Sequence, residues 1–188
     1  MEKLKIKLQN TKIYTNTTEY TEPKCKLCLV SSNKRNKITQ ICENTFDKVN
    51  NYCHYISPYA GIRQLTNNID KKITSFGPED YCVILIGESD FISSNNFVDI
   101  ITDMRKNLQS IKNTNIILCL PTFQLGPHNT IFNKRIEAFN ALLYKDIQRH
   151  EYAYVLDSNL NLTYDHHMFS GKQGSLNNTG MKTLMTDI

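Results

Sequence analysis

Hydrophobic and polar residues along this chain form blocks that predict an α/β fold. Two runs, residues 83–86 and 116–120, are apolar almost without interruption. Such runs are typical of strands buried on both faces, as in a parallel sheet covered by helices. Elsewhere apolar residues recur every three or four positions, which is the period of an amphipathic helix. The pattern therefore predicts a three-layer α/β/α sandwich with a parallel sheet of about five strands.

The predicted elements alternate along the chain. Five strands are predicted at residues 27–30, 52–56, 81–86, 115–120 and 152–156. Four helices lie between them, at 38–49, through Leu65, Ile69 and Ile73, at 97–108 and at 131–149. Residues 1–24 have no sustained period, and Pro23 precedes the first apolar strand. We expect a tail or linker at 1–24 and one domain at 25–188.

The composition is that of a soluble protein of one domain. The net charge of +4 is ordinary for a solvated surface, and contact with nucleic acid is the alternative interpretation. Cys82 and Cys119 fall inside apolar strands, so we expect reduced thiols that pack as small hydrophobic groups. Cys25 and Cys28 have the spacing of a metal or redox pair, but no second pair follows them, and no metal or cofactor is predicted. With no leader and no membrane-length apolar run, we expect an intracellular protein, in cytoplasm or nucleus, without a membrane partner.

Four short motifs follow predicted strands in a recognisable order. They are Ser31-Ser32-Asn33 after the first strand, Gly61 after the second, Gly87-Glu88-Ser89-Asp90 after the third, and Leu176-Asn177-Asn178-Thr179-Gly180 near the end. This order, on this alternation of strands and helices, resembles the SGNH (GDSL-type) hydrolase superfamily over about residues 26–184. The resemblance implies a flavodoxin-like sandwich with an esterase site at the carboxyl edge of the sheet. The chain is also similar to degenerate SGNH-like domains encoded by insect mobile elements.

Carried over residue by residue, the resemblance implies that the catalytic groups are replaced. The family's nucleophile aligns with Asn33 or, shifted by one position, with Ser32. Ser175 stands in the place of the catalytic histidine, and Lys172 stands in the place of its acid. The asparagine of the third motif is Ser89. Gly61, Gly87, Ser89 and Asp90 would line the pocket, where Asp90 is structural in the family and Ser89 could donate a hydrogen bond to an oxyanion.

The residues themselves leave one route to catalysis open. A nucleophilic hydroxyl needs a base to take its proton and a group that orients the base. Ser32 could be that nucleophile, with His166 or His167 as the base and Asp165 as the orienting group. The simpler interpretation is that Ser32 caps a helix and that both histidines are exposed loop side chains. Glu88 and Asp90, which flank Ser89, could act as an acid/base pair, although carboxylates at strand ends more often tie loops together.

Three hypotheses about function follow. The first is an SGNH-hydrolase-like domain with degenerate motifs, non-catalytic or weakly active, whose ligand is a small ester or acyl group. The second is an active esterase with a relocated Ser/His/Asp site. The third is a nucleic-acid-associated accessory domain of a mobile element, suggested by the mild basic excess. The sequence leaves the oligomeric state open.

Overall fold

A computed structural model describes residues 25–33, 38–46, 51–171 and 174–188 of the chain. The strands are β1 (Leu27–Ser31), β2 (Tyr52–Ile56), β3 (Tyr81–Leu85), β4 (Asn115–Cys119) and β5 (Tyr154–Leu156). They form one sheet in the order β2-β1-β3-β4-β5, and every neighbouring pair is parallel. The predicted fold class is confirmed. The expected tail at 1–24 and Lys172 lie outside the described residues.

Helices cover both faces of this sheet. They are α1 (Ile38–Phe46), α2 (Ile62–Thr66), α3 (Ile69–Lys72), α4 (Ser89–Ser93), α5 (Phe97–Gln109), α6 (Thr130–His150) and α7 (Asn178–Asp187). A short 3-10 helix, Pro127–Asn129, precedes α6. None of the helices in the described residues is long and apolar enough to cross a membrane.

Alternation along the central strands separates two hydrophobic cores. In β1, Cys28 and Val30 face the core built with α2, α3, α5 and α6. Leu27 and Leu29 face the other core, built with α1 and α7. Successive side chains of a strand point to opposite faces, so a strand buried on both sides must be apolar at every position. The two cores and the sheet make the three layers.

One predicted helix is interrupted. The pattern Leu65, Ile69 and Ile73 predicts a single helix, and this prediction is wrong, because α2 ends at Thr66 and α3 begins at Ile69. Asn68 lies between them in the left-handed conformation, with φ 55° and ψ 29°. Asparagine adopts this conformation more readily than most residues, and its side chain competes with helical hydrogen bonding. The apolar residues stay buried on the same side, so the interruption leaves the core unchanged.

The six cysteines are free thiols in this fold. Cys53, Cys28 and Cys82 lie side by side on β2, β1 and β3. Burial raises the pKa of Cys119 to about 12. A thiol that stays protonated is a poor nucleophile and packs as a small apolar group. The buried cysteines therefore pack as small apolar residues of the two hydrophobic cores.

Candidate functional site

The loops after β1, β2 and β3 meet at the carboxyl edge of the sheet. β1 lies between β2 and β3, so the strand order changes direction there, which is where open α/β sheets form ligand crevices. The carbonyl of Ser31 accepts a hydrogen bond from the Ser57 N–H at 2.8 Å, and the carbonyl of Ser32 accepts one from the Tyr59 N–H at 3.3 Å. Ser89 Oγ donates to the Tyr59 carbonyl at 3.0 Å. These contacts join three loops into one surface.

Ser32 and Gly87 are in direct contact. The side-chain oxygen of Ser32 accepts a hydrogen bond from the Gly87 N–H at 2.9 Å. Ser32 is only 5% exposed, and a Cβ added at Gly87 would lie 2.5 Å from that oxygen. Glycine is thus required for the close approach of the two strand ends. The predicted nucleophile and one predicted pocket residue are engaged with each other.

Asp90 and Gly61 hold the start of α2. Asp90 Oδ2 accepts a hydrogen bond from the Ile62 N–H at 2.7 Å. A Cβ added at Gly61 would lie 3.0 Å from Asp90 Oδ1, which shows how closely the two loops pack. The nearby Ser89 hydroxyl already donates to a backbone carbonyl. Asp90 and Ser89 therefore join loops in this structure.

A strained tyrosine stands on the same surface and was missed from the sequence. Tyr59 has a φ of 65°, and the Ala60 N–H donates to the Ser57 carbonyl at 3.1 Å, a geometry typical of a type II turn with Pro58 and Tyr59 at its centre. The left-handed conformation costs a non-glycine residue roughly 1–2 kcal/mol. Its peptide groups are held on both sides by the loops of Ser32 and Ser89. The side chain of Tyr59 is 71% exposed at the rim of the surface.

A small cavity of about 20 Å³ opens between the ends of β3 and β4. Its polar lining comes from Asn33, Gly87, Glu88 and Thr122, and its apolar lining from Leu85, Ile86, Pro121, Phe132, Leu176 and Leu184. The space holds about one water-sized group. Thr122 was not predicted as a site residue, although it follows a buried strand at the same edge as the other motifs. No group of three or more His, Cys, Asp or Glu side chains within the described residues is placed to hold a metal ion.

The segment around Ser175 is fixed by backbone contacts. Ser175 is 6% exposed, and its carbonyl accepts a hydrogen bond from the Ser170 N–H at 2.8 Å. The neighbouring Gly174 accepts a hydrogen bond from the Leu125 N–H at 2.7 Å. Gly174 has a φ of 67°, and a Cβ there would lie 2.0 Å from the Leu125 carbonyl oxygen. The backbone of this segment is therefore tightly held, and the replacement of a catalytic histidine by Ser175 stays a prediction.

The motif that begins at Leu176 has a structural role at each distinctive position. Leu176 is buried and lines the small cavity. Asn177 caps α7, because its Oδ1 accepts hydrogen bonds from the N–H groups of Thr179 at 2.8 Å and Gly180 at 3.1 Å. A Cβ added at Gly180 would lie 2.5 Å from the Met168 carbonyl oxygen. The helix that this motif begins was not predicted from the sequence.

Asp165, His166 and His167 form an exposed turn beside α7. Asp165 Oδ1 accepts a hydrogen bond from the His167 N–H at 2.9 Å. Asn177 Nδ2 donates to the His167 carbonyl at 2.7 Å, which ties the turn to the helix. None of Asp165, His166 and His167 lines the small cavity. The structure therefore brings Ser32, Gly61, Gly87, Ser89 and Asp90 together at one surface, while these three residues belong to another loop.

A further residue missed from the sequence, Asn159, joins the loops after β4 and β5. Its Oδ1 accepts hydrogen bonds from the Phe123 N–H at 3.0 Å and from the Tyr164 hydroxyl at 2.7 Å. Its Nδ2 donates to the Pro121 carbonyl at 3.2 Å. Burial, with the charge of Asp157, raises the pKa of Tyr164, so this hydroxyl stays a donor. Asn159 thus holds Pro121 at the cavity wall.

Comparisons with known proteins find this fold among esterases. No protein-family model matches the chain, and no curated protein has a detectably similar sequence. A member of the lipolytic protein G-D-S-L family from Veillonella parvula has a TM-score of 0.63 at 14% identity, over 85% of this chain and 92% of that one. The lipase/acylhydrolase from Enterococcus faecalis has a TM-score of 0.66 at 11% identity, over 87% and 92%. Axe2, an acetylxylan esterase from Geobacillus stearothermophilus, has a TM-score of 0.59 at 10% identity, over 86% and 90%. The chain therefore has the SGNH-hydrolase-like α/β fold.

Proposed function

We propose that this domain binds a small acyl or ester ligand at the carboxyl edge of the sheet and does not hydrolyse it through a serine triad. The observation that carries the proposal is the contact between Ser32 and Gly87. In this contact the Ser32 hydroxyl, which is next to the family's nucleophile position, accepts a hydrogen bond from the backbone of Gly87, a residue of the same pocket. A degenerate copy of this kind is also what the resemblance to domains of insect mobile elements implies.

The nucleophile is the first part that is lacking. A catalytic serine must present its oxygen to the substrate and give its proton to a base. Ser32 is almost fully buried, and its oxygen is held at 2.9 Å by the Gly87 N–H. Asn33 lines the small cavity, but an amide is not a useful nucleophile. Both positions therefore favour binding over acyl transfer.

The base is the second part. A serine at position 175 has no proton affinity near neutral pH, so it cannot act as a general base. Catalytic mutants of the Geobacillus stearothermophilus acetylxylan esterase change a serine and a histidine of that protein. In this chain the nearest histidines along the sequence, His166 and His167, are exposed and do not line the small cavity.

The ligand class follows from the cavity. Its mixture of amide, carboxylate, hydroxyl and hydrocarbon groups suits a small polar head with a methyl-sized apolar part. A group of methyl size, such as the methyl of an acetyl ester, fits about 20 Å³. The six free thiols fit a reducing compartment, so we further propose that the protein acts in cytoplasm or nucleus.

Catalysis is tested with p-nitrophenyl acetate and a fluorophosphonate probe on the full chain. We expect hydrolysis at the buffer rate and no labelling of Ser32. Turnover that is lost in both Ser32→Ala and the double variant His166→Ala/His167→Ala would establish the relocated triad instead. Turnover that survives both changes would also overturn the proposal, because it would require a different hydrolytic site.

Binding is tested by saturation-transfer NMR with ethyl acetate. Thr122→Leu enlarges a side chain in the wall of the small cavity, whereas Thr183→Leu makes the same change on α7 outside the lining. We expect transfer to the acetyl methyl group in the wild type and in Thr183→Leu, and its loss in Thr122→Leu. Equal transfer in all three proteins would exclude the small cavity as the site.

A further inference from the structure

A groove lies at the amino edge of the sheet, where α5 and α6 end and β4 and β5 begin. Two adjoining cavities form it, one of about 800 Å³ and one of about 500 Å³. His150 is common to both linings, so the two cavities adjoin: the larger lies where β4 and β5 begin, and the smaller extends between α5 and α6. We call the two together the amino-edge groove. The larger part has the volume of a typical ligand site. None of the motif residues at the carboxyl edge lines it, so the amino-edge groove is independent of the candidate site.

The amino-edge groove is basic. Four permanent cations line it against two carboxylates. The cations are Arg105, Lys112, Lys145 and Arg149, and the carboxylates are Asp146 and Glu151. Asp146 Oδ1 is engaged by Arg105 Nη1 at 2.6 Å. Lys145 and Arg149 are exposed on α6 and have no ion pair with another described residue. The dipole of α6 also favours cations near its C-terminus, so the aromatic groups beside these cations are what indicates a ligand.

Aromatic and polar groups occur beside this charge. Tyr154 lines the larger cavity and is 65% exposed, so its ring is open to stacking. Tyr152 lines the same cavity, and its buried hydroxyl lies beside the carboxylate of Asp146. Burial, with the charge of Asp146, raises the pKa of Tyr152, so this hydroxyl remains protonated. Gln109 and Gln148 add amide groups that can donate and accept hydrogen bonds.

We propose that the amino-edge groove binds single-stranded nucleic acid. Proteins that bind single strands combine a positively charged groove that follows the phosphates with aromatic side chains on which bases stack. Lys145 and Arg149 would contact phosphates, and Tyr154 would stack on a base. The groove brings together the basic and aromatic features that are scattered along the sequence. An acidic peptide would use the same cations but would not need the ring of Tyr154.

The test measures fluorescence anisotropy of a fluorescein-labelled twelve-nucleotide uridine RNA with the full chain, between 50 and 200 mM KCl. Removing two phosphate contacts makes the salt dependence weaker: the negative slope of log affinity against log salt decreases in magnitude by about 1.4. We therefore expect Lys145→Glu/Arg149→Glu to bind the RNA roughly 20-fold more weakly at 0.1 M salt. Tyr154→Ala should weaken binding at least about fivefold, because one base loses its stacking partner.

The matched control is Lys134→Glu/Lys182→Glu, which makes the same change in charge at exposed positions outside the groove. We expect the control to keep most of the affinity, and far-UV circular dichroism to confirm that each variant is folded. No binding at 50 mM KCl would overturn the proposal, as would an equal loss in the control. Displacement by polyglutamate together with an unaffected Tyr154→Ala variant would assign the groove to an acidic protein partner instead.

Discussion

Replacing Gly87 by alanine places a methyl group against Ser32 and tests whether that serine is structural. The new Cβ would lie 2.5 Å from Ser32 Oγ and 3.3 Å from both the Cβ and the carbonyl carbon of Ser32. The Ser32 side chain must then rotate away, and the hydrogen bond from the Gly87 N–H is lost. The φ of Gly87 lies outside the left-handed region, so alanine adds no backbone strain of its own.

The expected magnitudes come from these contacts. Overpacking of a tight site costs about 1–3 kcal/mol, and an unsatisfied buried N–H costs about 1–3 kcal/mol. We expect Gly87→Ala to lower the free energy of unfolding by about 3 kcal/mol and Ser32→Ala by about 1.5 kcal/mol. In the double variant the Oγ is absent, and the methyl group added at position 87 meets only atoms at 3.3 Å. The double variant should therefore lose about 2 kcal/mol less than the sum of the single losses.

Urea denaturation followed by circular dichroism measures all four proteins of this cycle. Gly77→Ala is the control, because a Cβ at Gly77 would meet only Asp80 Oδ2 at 3.8 Å, an ordinary contact. Additivity of the two single changes within about 0.5 kcal/mol would refute the reasoning, since sites without a shared contact behave in this way. A Ser32→Ala variant as stable as the wild type would also refute the structural role of Ser32. That result would instead indicate a serine that is retained for catalysis.

Two further predictions concern single side chains. Glu151 ends α6 in the left-handed conformation, with φ 50° and an N–H that donates to the Ile147 carbonyl at 2.7 Å. Glycine adopts this conformation without strain, so Glu151→Gly should raise the melting temperature by about 2–4 °C. Glu151→Gln controls for the charge, and an equal rise there would contradict a backbone origin. Burial of Asp80 acts to raise its pKa, but hydrogen bonds from the N–H groups of Lys26 and Gly77, both at 2.7 Å, outweigh it and hold the pKa below its usual value. This contribution to stability is present above about pH 4 and is lost as the pH falls through the lowered pKa. The free energy of unfolding of Asp80→Asn, measured by urea denaturation, should therefore fall less steeply below about pH 4 than that of the wild type. An equally steep fall in both proteins would contradict the assignment.

Much of the architecture was predictable from local pattern. The runs that became β3 and β4 are apolar at nearly every position, because strands buried on both faces have no solvent side. The helical period of Phe97–Gln109 likewise reflects one buried face. Such periods depend on neighbours a few residues away, so a sequence records them directly.

Where local preference competes with tertiary packing, the prediction was incomplete. Asn68 interrupts a helix whose apolar spacing continues, because the spacing reports burial and not backbone conformation. The helix α7 begins inside the Leu176 motif, and its cap at Asn177 was not predicted. The need for glycine at position 180 depends on the close approach of the Met168 carbonyl, which belongs to a preceding loop.

The sequence by itself determined the class of fold and the alternation of its five parallel strands with helices. The tertiary structure decided what the remaining side chains do. Ser32 and Gly87 are 55 residues apart along the chain, and their hydrogen bond exists only because two parallel strands end side by side. The amino-edge groove likewise depends on how two helices end against the sheet. Contacts of this kind are set by the approach of distant segments, whereas periodicity is set by near neighbours, and for that reason only the second can be read along the chain.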